Sequence, residues 1–360
     1  MLRPVTGGCR AVAGNVAAVG SADAAEPGWR ALVTGADSGI GQRVLSALTA
    51  SGVDVAVSAS AGDIGVPEGW VGQPFTVVDL TVGDHDSLAA RRSSVTDAGR
   101  ALLDLLERTG AEHLVLVSSA LVYGAHPGNP VPITEEATLR PEPSFVYARQ
   151  LAGVEERVER WRRAAEGRRV AVLRPVVTVA TASTTSTLMT ALTAGFGQRL
   201  GRDDPPAQFL HPDDLATAIA TVVRERSDDV LNVAPDGWIP GHRIRALTGN
   251  RWRLPLPGSA AEVVSAWRWR LQRGPIPPGL LSYTQAPWVI ANDRLRALGW
   301  RASVTNEQAY VEGTEEPWWG SVSPKRRQEF ALVGAVAGVV ATAALGALIG
   351  RWMWRRSRRR

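Results

Sequence analysis

Lysine is almost missing from this chain. Of the 40 basic residues among 360, one is lysine, Lys325, and 39 are arginine. No lysine cation can therefore enter a site built from residues 1–324. Cysteine is as scarce. Cys9 stands alone, so no intramolecular disulfide can form, and a reducing compartment is compatible with it. The five histidines are scattered, and His211 with Asp213 and Asp214 is too small a set for a metal site. No metal is expected. The first 28 residues, rich in Ala, Gly and Val, have only short, broken apolar stretches. Such stretches do not read as a signal-peptide core, and a disordered N-terminus is the expectation.

Apolar residues are abundant at 45%, enough for a sizeable core. The net charge of +5 is largely local: Arg351, Arg355, Arg356, Arg358, Arg359 and Arg360 crowd the last ten residues. A basic end beside an apolar run reads as a membrane-surface contact rather than a nucleic-acid-binding face. No nucleic acid partner is expected.

From Trp29 onward, short apolar runs alternate with segments of helical spacing. "RALVTG" stops at glycine, and "GQRVLSALTASG" places Val44, Leu45 and Leu48 on one helical face. "VDVAVSA", "FTVVDL", "HLVLVSSA", "RVAVLRP" and "VLNVAP" read as further strands. Helices are expected at 98–108, from Tyr147 to about Glu166, in "HPDDLATAIATVVRER", and near 242–248, 260–272 and 291–298. Helices between apolar strands imply an α/β fold, a doubly wound parallel sheet covered on both faces, with a smaller C-terminal lobe mainly over 177–320.

Residues 331 to 350, "ALVGAVAGVVATAALGALIG", contain one polar residue, Thr342, and no charge. As a helix they would rise about 30 Å, one bilayer core. Trp352 and Trp354 follow, where interfacial aromatics belong. Gly334, Gly338, Thr342, Gly346 and Gly350 recur every four residues, a stripe suited to close helix–helix association or a homo-oligomer. The expected order is thus an N-terminus over 1–28, a domain over 29–320, a basic linker over 321–330, a transmembrane helix over 331–351 and a basic tail over 352–360.

"TGADSGIG", Thr34 to Gly41, sits between the first strand and the first helix. Such a turn carries backbone N–H groups to a pyrophosphate at a helix N-terminus. Gly35 permits the sharp turn, Gly39 the close approach and Gly41 tight helix–strand packing. Gly35, Gly39, Ile40 and Gly41 are the candidate cofactor-binding residues.

With this turn, four later motifs resemble the short-chain dehydrogenase/reductase superfamily, in particular its extended branch, the NAD-dependent epimerase/dehydratase family. "VSSALVYG" resembles that family's serine-bearing strand and maps the catalytic serine to Ser119. "YARQL" occupies the tyrosine–lysine motif and maps the catalytic tyrosine to Tyr147. "VLRP" and "FLHPDDLA" resemble later landmarks. The resemblance covers roughly residues 30 to 240 and implies a Rossmann-type fold and NAD or NADP as cofactor. Asp79, in "VVDL", matches a residue that typically contacts the adenine; a loop carboxylate or helix N-cap is the alternative.

The departures are equally specific. Leu151 stands where the family has lysine. A free phenol has a pKa near ~10, so Tyr147 without a neighbouring cation is a poor base. Arg149 lies about 200° around the helix from Tyr147 and should point elsewhere. The second strand ends "VSASAG", with neither an acid near Ala59 for a ribose hydroxyl nor an arginine for a 2′-phosphate. The segment between Asp79 and "HLVLVSS" is short for an extended member.

Two functions follow as expectations. One is an epimerase/dehydratase-like enzyme on a nucleotide-sugar-like or other polar substrate, with an altered acid/base set. The other is a non-catalytic cofactor-sensing or scaffold protein recruited to a membrane. A dinucleotide places residues 30 to 320 in the cytosol, giving a single-pass membrane protein with a cytoplasmic domain. The arginines after the helix outnumber Lys325, Arg326 and Arg327 before it and favour the reverse orientation; the cofactor argument takes precedence.

Overall fold

Six short apolar segments become six parallel strands in a computed structural model that describes residues 29–58, 66–70, 72–82, 94–179, 204–247, 263 and 278–314. They are β1 (Arg30–Thr34), β2 (Asp54–Ser58), β3 (Thr76–Asp79), β4 (His113–Val117), β5 (Arg169–Pro175) and, after a two-stranded pair formed by β6 (Val177–Thr178) and β7 (Phe209–Leu210), β8 (Val230–Val233). The sheet order is β2-β1-β3-β4-β5-β8, with every pairing parallel. Strands β3 and β4 are buried along their whole length. A strand covered on both faces has no solvent side to alternate toward, so its sequence is a continuous apolar run.

The helices form two layers. α1 (Gly41–Ala50) packs against α4 (Pro212–Glu225), and α2 (Ser94–Thr109) against α3 (Val146–Arg163). α1 presents Gly41, Val44 and Leu48 to the core. α4 has a well-defined start: the His211 side chain accepts the Asp213 N–H, Pro212 occupies the first turn, and Asp213 and Asp214 complement the positive end of the helix dipole. It ends with Arg226 in a left-handed conformation, φ 45°.

The expected C-terminal lobe is interrupted. α4 and β8 lie within 177–320, yet both return to the main sandwich, because β8 needs the open edge of β5 and α4 the apolar face of α1. Outside the sandwich are the β6–β7 pair, α5 (Gly241–Leu247), α6 (Asp293–Ala297) and α7 (Asn306–Thr314), with 3₁₀ turns at Pro278–Leu280 and Ser282–Thr284. Buried side-chain bonds stitch these pieces down. Asp214 accepts the Ser303 N–H and hydroxyl and the Val304 N–H, and Asn306 accepts the Phe209 N–H while donating to the Asp236 carbonyl.

The described residues, 29 to 314, fall within one compact unit. Among the described residues no helix is long and apolar enough to cross a membrane. The expected N-terminus over 1–28, the helix near 260–272 (apart from Val263), the linker over 321–330, the transmembrane helix over 331–351 and the tail over 352–360 lie outside the described residues. So does Ala59, together with most of the short segment after Asp79.

Candidate functional site

The strand order reverses at β1. From β1 the chain pairs first with β2 on one side and then with β3 on the other. A crevice therefore opens at the carboxyl ends of β1 and β3, the switch point at which open α/β sheets bind ligands. The turn from Gly35 to Ile40 occupies one wall of it, and the exit of β3 at Asp79 the other.

The turn is held by its own side chains. The Ser38 hydroxyl donates to the Gly35 carbonyl (2.7 Å) and accepts the Gly41 N–H (3.1 Å), and the Gln42 amide donates to the Ala36 carbonyl (3.0 Å). Gly35 has φ +72°, a conformation that L side chains rarely adopt. A Cβ on Gly41 would lie 2.5 Å from the Ala36 carbonyl oxygen. The close approach that requires this glycine is thus to the turn's own backbone, not to a strand as the motif suggested. Gly39 is exposed, and Ile40, half-buried, sits at the N-cap with no side chain capping the helix. Apart from the Gly41 N–H, which Ser38 accepts, no side chain among the described residues caps the first turn of α1, which suits a helix that receives an anion.

Asp79 has no solvent exposure. Its Oδ1 accepts the Thr34 and Thr81 hydroxyls, each at 2.7 Å, and its Oδ2 accepts the Val82 N–H at 3.1 Å. Burial pushes the carboxyl above its usual range, while these hydrogen bonds pull the other way.

Ser119 follows β4 and starts a 3₁₀ turn, Ala120–Tyr123, where its hydroxyl accepts the Leu121 N–H at 3.3 Å. Tyr147 lies in the first turn of α3, 7% exposed, edge-on to Phe145 with ring centroids 5.8 Å apart. Phe145 in turn meets Tyr283 edge-on, and Tyr283 donates to the Leu121 carbonyl at 2.6 Å. One aromatic cluster thus links the start of the tyrosine helix to the turn after the serine. Leu151 is fully buried. Arg149 is exposed, as its position on the helix predicts.

The buried cation along this face is already committed. Arg174 makes a two-pronged contact with Glu155, whose Oε2 accepts from Nη2 at 2.6 Å and from Nε at 3.1 Å, and its Nη1 donates to the Tyr123 hydroxyl at 2.8 Å. The Ser118 hydroxyl also donates to Glu155, and Tyr123 donates to Asn232 at 2.9 Å. Burial alone would lower the Arg174 pKa, but the charge and hydrogen bonds of Glu155, then Tyr123, hold it above its usual range. Glu155 shares a helix face with Tyr147 and Leu151, so this network clamps β4, β5 and α3 together. Sequence reasoning missed it, although a glutamate inside the apolar stripe Leu151, Val154, Val158 was a visible signal. A separate cavity of about 260 Å³, lined by Tyr123, Asn129, Ile133 and Arg140 among others, does not include Ser119 or Tyr147.

Comparison with curated proteins finds no match. Solved structures do match in fold. The UDP-glucose 4-epimerase of Thermus thermophilus in complex with NAD is 19% identical with a TM-score of 0.55, over 79% of this chain and 97% of that one. RMD from Pseudomonas aeruginosa complexed with NADPH is 20% identical with a TM-score of 0.52, over 79% and 98%. Human epimerase family protein SDR39U1 (isoform 2) with NADPH is 16% identical with a TM-score of 0.54, over 79% and 98%. At such identities the likeness establishes the Rossmann-type fold alone. The family model of the NAD dependent epimerase/dehydratase family matches residues 31–234, from the first residues of β1 to the end of β8. The match spans the whole six-stranded sheet, the glycine turn, Ser119 and Tyr147, and the chain belongs to the NAD dependent epimerase/dehydratase family.

Proposed function

We propose that this chain is a membrane-anchored NAD(P)-binding protein in which ordinary tyrosine–lysine redox turnover is absent or very slow. The observation that carries the first part is the α1 N-terminus, which has no side-chain cap from its N-cap residue Ile40 and which Gly35 and Gly41 bring to the β1/β3 switch point. NAD and NADPH in the structural relatives support the same reading. Gly35, Gly39 and Ile40 would hold the pyrophosphate through backbone N–H groups, and Gly41, whose own N–H is bonded to Ser38, would keep the helix start in place beneath it. The bound dinucleotide would supply hydride chemistry. Ser119 and Tyr147 would orient a substrate hydroxyl or carbonyl and exchange its proton.

The second part rests on Leu151, which offers neither a charge to lower the Tyr147 pKa nor a donor for the nicotinamide ribose. Arg174 does not replace it, being held by Glu155 and Tyr123. General acid–base catalysis contributes typically ~10² to 10⁴ in rate, so that much activity can be absent from an intact fold. These same two observations favour the second reading, a cofactor-sensing or scaffold protein that recruits partners at a membrane. The anchor rests on sequence: the uncharged run over 331–350, its flanking tryptophans and its small-residue stripe.

Calorimetric titration of the detergent-solubilised full-length protein with NAD and with NADP tests the core of the proposal. Binding of at least one below millimolar is expected, with Ser119→Ala and Tyr147→Phe changing affinity little. Failure of both to bind at millimolar concentration overturns it. Robust turnover that Tyr147→Phe abolishes would make the protein an enzyme with a substitute cation. Recovery of the full-length protein in the soluble fraction without detergent removes the anchor.

A further inference from the structure

We infer that Asp79 is a positioning residue of the dinucleotide crevice, acting on the phosphate-binding turn through Thr34 and Thr81 rather than by bonding the nucleotide itself. The inference rests on the dinucleotide-binding reading and specifies how one wall of that site is built. Asp79 ends β3 and stands in register with Thr34, the residue before Gly35. Its Oδ1 accepts two hydroxyls, from Thr34 and Thr81, which uses both lone pairs of that oxygen. Its Oδ2 accepts the Val82 N–H, and the side chain has no exposed surface through which a ligand could reach the remaining lone pair.

What the carboxylate grips explains its role. Thr34 leads into the turn on one side of the crevice, and Thr81 and Val82 leave β3 on the other. With its hydroxyl fixed on Asp79, Thr81 lies directly against Gly35. A Cβ built on Gly35 would be 3.1 Å from the Thr81 methyl and 3.2 Å from its backbone nitrogen. The first residue of the turn thus rests on a neighbour that Asp79 holds in place. Losing the carboxylate frees both supports at once and lets the turn move away from the geometry that presents the α1 N-terminus.

Two variants separate positioning from contact. Asp79→Asn retains an acceptor for the hydroxyls but turns an N–H toward the Val82 N–H. Thr81→Val keeps the methyl against Gly35 and removes only the hydroxyl. Affinity is measured calorimetrically for NAD and for nicotinamide hypoxanthine dinucleotide, which lacks the 6-amino group, on full-length protein at a temperature where each variant is folded. The wild type is expected to bind the two within about twofold. Each variant should weaken both by the same factor, roughly fivefold for one lost hydrogen bond. A strong wild-type preference for NAD that Asp79→Asn erases identifies a direct adenine contact and overturns the inference. Unchanged affinity in both variants overturns it as well. Should Asp79→Asn fail to fold, Thr81→Val decides alone. A wild type that binds neither dinucleotide at millimolar concentration defeats the dinucleotide reading itself and leaves Asp79 nothing to position.

Discussion

Acidification should destabilise this protein through one imidazole. His113 lies in β4 with no exposed surface, beside Thr76 in the neighbouring strand. Its Nδ1 lies 2.9 Å from the Thr76 hydroxyl and its Nε2 3.0 Å from the Ser227 carbonyl. A carbonyl can only accept, so the neutral tautomer with the proton on Nε2 satisfies both. Burial lowers its pKa from 6.5 to about 4; the Ser227 bond and Asp228 oppose this, and the Arg226 and Arg169 charges add to it. A depressed folded pKa means that the unfolded chain takes up the proton first. Stability from this residue is therefore full above pH ~6.5 and is lost as pH falls toward ~4. Between pH ~7 and pH ~5 the loss comes to about 2 kcal/mol, with a slope near pH ~5 of about 1 kcal/mol per unit. Denaturant unfolding followed by tryptophan fluorescence at about pH 7, 6 and 5 measures it. His113→Gln supplies the control, since its amide can still donate to Ser227 but does not titrate. The variant should be less stable at neutral pH and show a shallower pH slope, by nearly one proton. Identical slopes in the two proteins would refute the reasoning.

Gly41→Ala should abolish detectable dinucleotide binding while leaving much of the fold, because its Cβ would sit 2.5 Å from the Ala36 carbonyl and force the turn open; calorimetry checks it, and wild-type affinity in the variant refutes it. Leu151→Lys buries an ammonium where the side chain is fully enclosed and should cost on the order of 2–4 kcal/mol, with NAD recovering part of it if the ribose accepts the new donor; thermal melts with and without NAD read both effects. Arg174→Leu leaves Glu155 charged and unpaired in the core and should cost about 3–5 kcal/mol in denaturant unfolding, whereas the pair replacement Arg174→Leu with Glu155→Gln should recover a large part of that loss.

The inner strands were legible because each is largely buried on both faces, and continuous apolar runs bounded by glycine and polar residues are hard to read otherwise; β2, with Asp54 exposed, was legible from the alternation in "VDVAVSA". Ser38 through Gly41 could be placed for the same reason: a glycine turn directly between strand and helix has few alternatives. α7 was not legible. Its buried residues are Asn306, Ala309 and Tyr310, and a buried asparagine breaks the apolar pattern that marks a helix. The return of α4 and β8 to the main sandwich was equally hidden, since pattern identifies an element and not its partner. Ser119 and Tyr147 were candidates through motif order, but the buried Glu155–Arg174–Tyr123 clamp was not legible. It joins residues 51 positions apart, and nothing local pairs them. Arg174 is held inside this clamp by Glu155 and Tyr123.

The position of β8 at the sheet edge has a consequence for how the chain is made. β5 ends at Pro175, and its outer neighbour arrives only with Val230–Val233. During synthesis at roughly 5–20 residues per second, the β5 edge is without its partner for several seconds. Throughout that interval a row of unpaired N–H and C=O groups on an apolar strand is open to pairing with another nascent chain. Closure also requires a long loop to be ordered before its contacts reward it, which places this seam among the slow steps of folding. Asn232 then locks the late strand from within, its backbone N–H donating to Glu135 and its side-chain oxygen accepting from the Tyr123 hydroxyl.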